Sequence, residues 1–132
     1  MPTLRTYDYA IVRVVPRVER GEFGNAGVIL SCAATGFLQA RFELDLKLLA
    51  AMAPGLDLQP IHEALAAIES ICVGGANAGA IGRLTVRERF HWLVAPRSTS
   101  VQTSPVHSGQ CHDLDAALEE LLRKMVRRTR VI

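Results

Sequence analysis

Long apolar runs, paired cysteines and an export signal are all missing from this sequence, and each absence narrows what the protein can be. No stretch approaches the roughly 20 apolar residues that a helix needs to cross a bilayer. The first ten residues hold no apolar run followed by a small-residue cleavage site, so we expect a cytoplasmic protein with no membrane partner. The three cysteines include no Cys-x-x-Cys pair, which favours reduced thiols, no structural metal and no other cofactor.

Lysine is scarce as well. Of the 15 basic residues 13 are Arg, and only Lys47 and Lys124 are Lys. Together with the abundance of Ala, this bias is typical of a GC-rich bacterial genome. The 13 acidic residues leave a net charge of only +2, which argues against a general nucleic-acid binder. A chain of 132 residues that is 49% hydrophobic and 21% charged predicts one ordered domain over residues 1–132.

Apolar and β-branched residues predict three strands and allow a fourth. The first carries apolar side chains on both faces, which indicates a central strand. The third alternates, so Leu38, Ala40 and Phe42 are expected to face inward while Arg41 faces water. The predicted strands are 6–15, 26–32, 37–44 and, as the optional fourth, 98–103.

Helix signals fill most of the remaining chain. Asp45 is expected to cap a short helix at 46–52, and a longer apolar stripe begins near residue 58. Thr85 and Glu88 form a capping-box pattern, and Asp113 is expected to cap a terminal helix. We therefore predict an α+β single domain, in which a mainly antiparallel sheet of three to four strands packs against three to four helices.

Two segments are richer in polar groups than folding requires, at residues 17–25 and 97–112. Guanidinium forks and hydroxyl groups match the oxygens of phosphates and carboxylates, so the segments indicate an anion-binding surface. The alternative is that Ser, Thr and Pro here only build turns and a half-exposed strand. The candidate binding residues are Arg17, Arg20, Asn25, Arg97, Ser98, Thr99, Ser104 and His107.

A catalytic alternative uses the same segments. His107 would act as general acid/base, Glu22 would orient it or accept a proton, and Arg20 and Arg97 would hold an anionic substrate. Cys111 precedes the last helix, where a thiol pKa is often lowered. If Arg97 and His107 share one pocket, whether for binding or for catalysis, the loop at 17–25 must close over one end of the sheet.

The basic residues near the C-terminus form a further cluster. Cations favour the C-terminal end of a helix, and they also pair with nucleic-acid phosphates. Glu119 and Glu120 lie one turn earlier and weaken that field, so stabilisation of the helix end is the favoured interpretation. The cluster consists of Arg123, Lys124, Arg127, Arg128 and Arg130.

Two long segments resemble a bacterial family known as domain of unknown function 3037. They read YDYAIVRVVPRVERGEFGNAGVIL and RFHWLVAPRSTSVQTSPVHSG. The family pattern falls on Glu22, Phe23 and Asn25 and on the RFHWL, APRS and SPVH runs, whereas Gly24 departs from it. The resemblance supplies no established activity, cofactor or catalytic residue.

The resemblance does imply an accessory role, because genes of this family often lie beside genes for kinases resembling HipA. We therefore favour a binding module for a protein partner, with such a kinase as the first candidate. Under this hypothesis Arg97 serves the partner and not the fold. The alternative is an enzyme that acts on a small phosphorylated or nucleotide-like substrate.

Overall fold

A computed structural model of the chain describes residues 3–127. Within them it contains a five-stranded antiparallel sheet and four helices, which confirms the predicted α+β single domain. The strands are β1 (Arg5–Val14), β2 (Gly24–Cys32), β3 (Phe37–Phe42), β4 (Val101–Thr103) and β5 (His107–Cys111). The helices are α1 (Leu46–Met52), α2 (Gln59–Val73), α3 (Val86–Leu93) and α4 (Leu114–Met125).

The first strand organises the sheet, as its two apolar faces predicted. On one side β1 pairs with β2, which in turn pairs with β3. On its other side β1 pairs with two short strands in succession: β5 along its N-terminal half and β4 along its C-terminal half. The sheet thus has one strand more than the sequence predicted, because β5 lies in a segment that shows no apolar alternation.

Ser104 joins β4 to β5 along the same side of β1. Its backbone N–H donates to the carbonyl of Ile11 at 2.8 Å, and its hydroxyl oxygen accepts from the N–H of Ile11 at 2.8 Å. The hydroxyl also donates to the carbonyl of Pro105 at 2.9 Å. The side chain is 5% exposed, so this hydroxyl is used by the fold and not presented to solvent.

Helices cover both faces of the sheet. On one face α1, α2 and α3 bury Val12, Ile29 and Leu38, and on the other α4 buries Val28 and Leu30. The three capping residues predicted from the sequence are confirmed at α1, α3 and α4.

The position of α4 corrects one expectation about β3. Arg41 was expected to face water, but it is half-buried beside α4 and pairs with two carboxylates of that helix. Its guanidinium is 3.4 Å from Asp115 and 3.3 Å from Glu119. Alternation along β3 therefore separates a buried apolar face from a face on which Arg41 is bridged to α4 by ion pairs and Gln39 is exposed.

Gly27 tests the close packing of β2 against β3. A Cβ at this position would lie 2.6 Å from the carbonyl oxygen of Arg41 and would overlap the Phe42 ring. Because backbone cannot yield easily, we expect Gly27→Ala to lower the free energy of unfolding by about 1–3 kcal/mol in urea titration. Gly24→Ala is the matched control, since its Cβ would meet only the flexible end of the Leu48 side chain, at 2.9 Å. Equal losses in the two variants would contradict this account.

Candidate binding site

The two polar segments meet at one end of the sheet. The N–H of Val15 donates to the carbonyl of Ser100 at 2.7 Å, which places the start of the loop at 17–25 beside the segment that leads into β4. His107 lies elsewhere, because it pairs with Tyr9 in the middle of β1. Tyr9 is five residues from the end of β1 at Val14, which corresponds to about 17 Å along an extended strand. The structure therefore separates His107 from the arginines that were predicted to share its pocket.

The loop arginine Arg20 is paired with Glu22. Its Nε lies 2.6 Å from a carboxylate oxygen of Glu22, and both side chains are more than half exposed. This hydrogen bond holds the pKa of Glu22 below its ordinary value and raises that of Arg20. Glu22 therefore stays ionised at neutral pH and is a weak proton acceptor, while Arg20 keeps its charge within an exposed ion pair.

His107 stands apart from any acid–base arrangement. Its ring is exposed on β5 and lies 5.6 Å from the Tyr9 ring, tilted by 38°. The ring makes no hydrogen bond or ion pair with any residue between 3 and 127. It also lines none of four cavities found in that part of the chain, which have volumes of about 110–370 Å³.

Cys111 shows no activation despite its place before α4. Burial is the main influence on the thiol and raises its pKa, with a further increase from Cys32. A hydrogen bond from the backbone of Asp113 opposes this shift without reversing it. Cys111 therefore remains protonated at neutral pH, which is unfavourable for a nucleophile.

Asn25 is used to fasten α4 to the sheet. Its amide nitrogen donates to the carbonyl of Met125 at 2.9 Å, while its oxygen is buried without a partner in the described structure. The side chain borders a cavity of about 250 Å³ at the end of α4, together with Phe23 and the two cations Lys124 and Arg127.

The basic cluster at the end of α4 is largely paired. Arg123 and Lys124 pair with Glu120, at 2.6 and 3.5 Å, and Arg127 pairs with Glu43 and Glu119, at 2.9 and 3.2 Å. These pairs favour the structural interpretation over phosphate binding. The other two members of the cluster, Arg128 and Arg130, lie outside the described residues.

Arg97 is held at the end of α3. Its two terminal nitrogens donate to the carbonyls of Leu93 and Trp92 at 2.9 and 2.8 Å, with a longer bond of 3.5 Å to Ala95. The guanidinium also lies over the Trp92 ring, 4.4 Å from its centre. It has no carboxylate partner within residues 3–127, so a fixed positive charge remains at this position. Arg97 therefore serves the fold, contrary to the expectation that it serves a partner alone.

An apolar cavity opens beside this guanidinium, between α2, α3 and β4. It has a volume of about 190 Å³, and we call it the Arg97 cavity. The cavity exists because the side chains of α2 that face it include two alanines. Buried side chains form its base, and exposed or half-buried side chains form its mouth. The lining residues are Ala64, Ala67, Ile68, Ile71, Trp92, Leu93, Arg97, Thr99 and Val101.

The chemistry of the Arg97 cavity is that of a mixed site. Its walls accept an aliphatic or aromatic group, and Arg97 keeps its Nε–H available for a carboxylate or phosphate at the mouth. The Thr99 hydroxyl donates to the carbonyl of Val101 at 2.9 Å and retains acceptor capacity. Ser98 follows Arg97 in the sequence and is exposed, but it does not line the cavity.

Sequence reasoning found Arg97 and Thr99 but missed the residues that shape the cavity. The signal available was Trp92, the single Trp of the chain, which falls on the polar side of a helix whose inward positions are Phe90 and Leu93. Its side chain is 43% exposed. A lone Trp on the outer face of a short helix indicates a contact surface.

Comparison with known proteins places the chain in one family. Residues 9–126 match the family described as "Protein of unknown function (DUF3037)", and the chain belongs to that family. No curated protein and no solved structure shows detectable similarity. Among the described residues, every helix is too short or too polar to pass through a membrane.

The contacts of Arg97 with the end of α3 lead to a prediction about stability. Arg97→Ala removes the hydrogen bonds to Leu93 and Trp92 and the cation at a helix C-terminus. We expect it to lower the free energy of unfolding by about 1–2 kcal/mol, measured by thermal and urea unfolding. Arg87→Ala on the same helix is the control, because Arg87 is exposed and its side chain makes no hydrogen bond or ion pair in the described chain. If both variants have the same free energy of unfolding as the parent, Arg97 does not cap α3.

Proposed function

We propose that this protein is an accessory module that binds a protein partner through the Arg97 cavity. A single observation carries the proposal: a fixed guanidinium without a carboxylate partner in the described chain stands at the mouth of an apolar cavity, stacked on an exposed Trp92. A partner that fits would insert one apolar side chain and place an acidic or phosphorylated residue beside Arg97.

The size and composition of the cavity support a protein partner. A volume of about 190 Å³ accommodates one large side chain and is smaller than the 300–1,000 Å³ usual for drug-sized ligands. Trp and Arg are the residue types that most often dominate binding energy at protein interfaces. The loop at 17–25 reaches the same end of the sheet, where Arg17 is exposed and adds positive charge.

The family points to a first partner to test. Because genes of related proteins often lie beside genes for kinases resembling HipA, we propose such a kinase as the partner, in the bacterial cytoplasm. The catalytic alternative is less well supported, since the four cavities described above for residues 3–127 include one that Arg97 lines and none that His107 or Arg20 lines.

A larger side chain at position 67 would fill the cavity. Ala67 lies on α2 at the cavity, whereas Ala66 is exposed on the same helix outside it. We expect Ala67→Leu to weaken capture of the purified HipA-like kinase by about tenfold or more, which is a loss of about 1.4 kcal/mol. Ala66→Leu should bind like the parent. Equal binding of parent and Ala67→Leu would remove the cavity from the interface.

Trp92 provides a direct readout with defined probes. Because it is the only Trp, its fluorescence reports on the Arg97 cavity alone. We expect a blocked peptide with a central Leu flanked by Glu to shift this fluorescence in the parent and in Ala66→Leu, but not in Ala67→Leu. The same peptide with Lys in place of Glu should bind more weakly. A response that is independent of peptide charge would contradict the role given to Arg97.

A further inference from the structure

The outer edge of β3 is open and has unused bonding capacity. Within residues 3–127, β3 is hydrogen-bonded to β2 only and forms one edge of the sheet. The N–H of Glu43, just after β3, donates to the carbonyl of Ala26 at 2.7 Å. Because bonded positions alternate along an antiparallel pair, Leu38 and Ala40 direct their N–H and C=O groups away from β2. An edge of this kind is a template onto which a further strand can be added.

A cavity lies between this edge and the end of α2. It has a volume of about 370 Å³, and we call it the β3 groove. Its lining residues are Leu38, Gln39, Ala40, Glu69, Cys72 and Val73. None of them lines the Arg97 cavity, so the two sites are separate. The β3 groove thus combines the open backbone edge on one side with helix side chains on the other.

The helix side of the β3 groove offers apolar contact. Val73, the last residue of α2, is 84% exposed, which is the highest value of any large apolar residue between 3 and 127. Cys72 and Leu38 are buried beside it. Burial raises the pKa of the Cys72 thiol to about 12, so this part of the wall is uncharged at neutral pH. An apolar side chain placed in the groove would cover Val73 and lose its own contact with water.

Glu69 gives the β3 groove its charge. It is the single charged residue among those that line the groove, and it is exposed. Its carboxylate makes no hydrogen bond or ion pair with any residue between 3 and 127. The nearby Arg89 does not line the groove, because its guanidinium is bonded to carbonyls at the end of α2. The groove is therefore complementary to a basic side chain.

We propose that the β3 groove binds an extended segment of a partner protein as an added strand, in which a basic residue lies two positions from an apolar one. Side chains two positions apart on a strand share a face and lie about 6.5 Å apart. Glu69 and Val73 are four positions apart on α2, where side chains are about 6 Å apart. One strand can therefore place an apolar side chain against Val73 and a cation against Glu69.

A defined peptide tests the choice of occupant. The probe is a short blocked peptide of Thr residues with Leu at its centre and Lys two positions to either side, so its pattern is the same in both chain directions. We expect the labelled peptide to bind the full chain saturably in fluorescence anisotropy. The same peptide with Glu in place of Lys should bind more weakly. No binding of the Lys peptide, or equal binding of the two peptides, overturns the proposal.

Two exposed side chains on α2 allow the groove to be altered while the core stays intact. Glu69→Lys should weaken binding of the Lys peptide by about fivefold or more, because attraction becomes repulsion. Val73→Ser should also weaken it, because the apolar contact is lost. Glu63→Lys makes the same change of charge on the same helix outside the groove and should bind like the parent. Equal affinities of Glu69→Lys and Glu63→Lys would contradict the role given to Glu69.

Hydrogen exchange of single amides reports whether the peptide pairs with the edge. Peptide should slow exchange at Leu38 and Ala40 and leave Gln39 unchanged, because the Gln39 N–H already points to β2. Two N-methylated peptides, one methylated at Leu and one at the next Thr, should differ in affinity, because successive N–H groups of a strand point to opposite edges. Binding without this protection, or with equal effects of the two methylations, overturns strand addition. Protection that rises with protein concentration in the absence of peptide would show that a second copy occupies the groove, and it too overturns the proposal.

Discussion

The three hydrogen bonds of Ser104 are the constraint on which the rest of this structure depends. Through its backbone and its hydroxyl it binds both polar groups of Ile11, in the middle of the central strand. A proline follows directly and interrupts the ladder, so without the hydroxyl the N–H of Ile11 would be buried without a partner. Ser104 thereby lets two short strands share one side of β1. β4 begins at the Arg97 cavity, and β5 pairs on one side only within residues 3–127.

Six of the eleven arginines between residues 3 and 127 contact a helix end or a carboxylate. Arg89 donates to the carbonyls of Ile71 and Cys72 at 2.6 and 2.8 Å and so closes the end of α2, as Arg97 closes the end of α3. Arg41 and Arg127 are neutralised by acidic residues around α4. Because these charges are used internally, the small net charge says little about binding. Arg13 and Arg97 both lack a carboxylate partner within residues 3–127 and both stack on an aromatic ring. Of the two, Arg97 is the one that borders a described cavity.

Local signals in the sequence predicted most of the fold, whereas long-range pairings could not be read from it. The caps at Asp45, Thr85 and Asp113 are contacts over three residues, and each was found. β5 was missed because residues 107–111 show no alternation of apolar and polar side chains. Gly109 is needed in this strand because the Tyr7 ring lies where a Cβ would stand. The candidate site was predicted only in part for the same reason. Arg97 and Thr99 stand out by type, but the space beside them arises from α2, which is distant in sequence.

The Arg97 cavity gains from the way its guanidinium is held in place. Two hydrogen bonds and the Trp92 ring fix the Arg97 side chain before any partner arrives. A side chain that is already ordered loses little conformational entropy on binding, so more of the interaction energy is expressed as affinity. The contacts that cap α3 therefore also prepare the charge at the mouth of the cavity. A cavity for one side chain can support a specific contact for this reason, although its area is small.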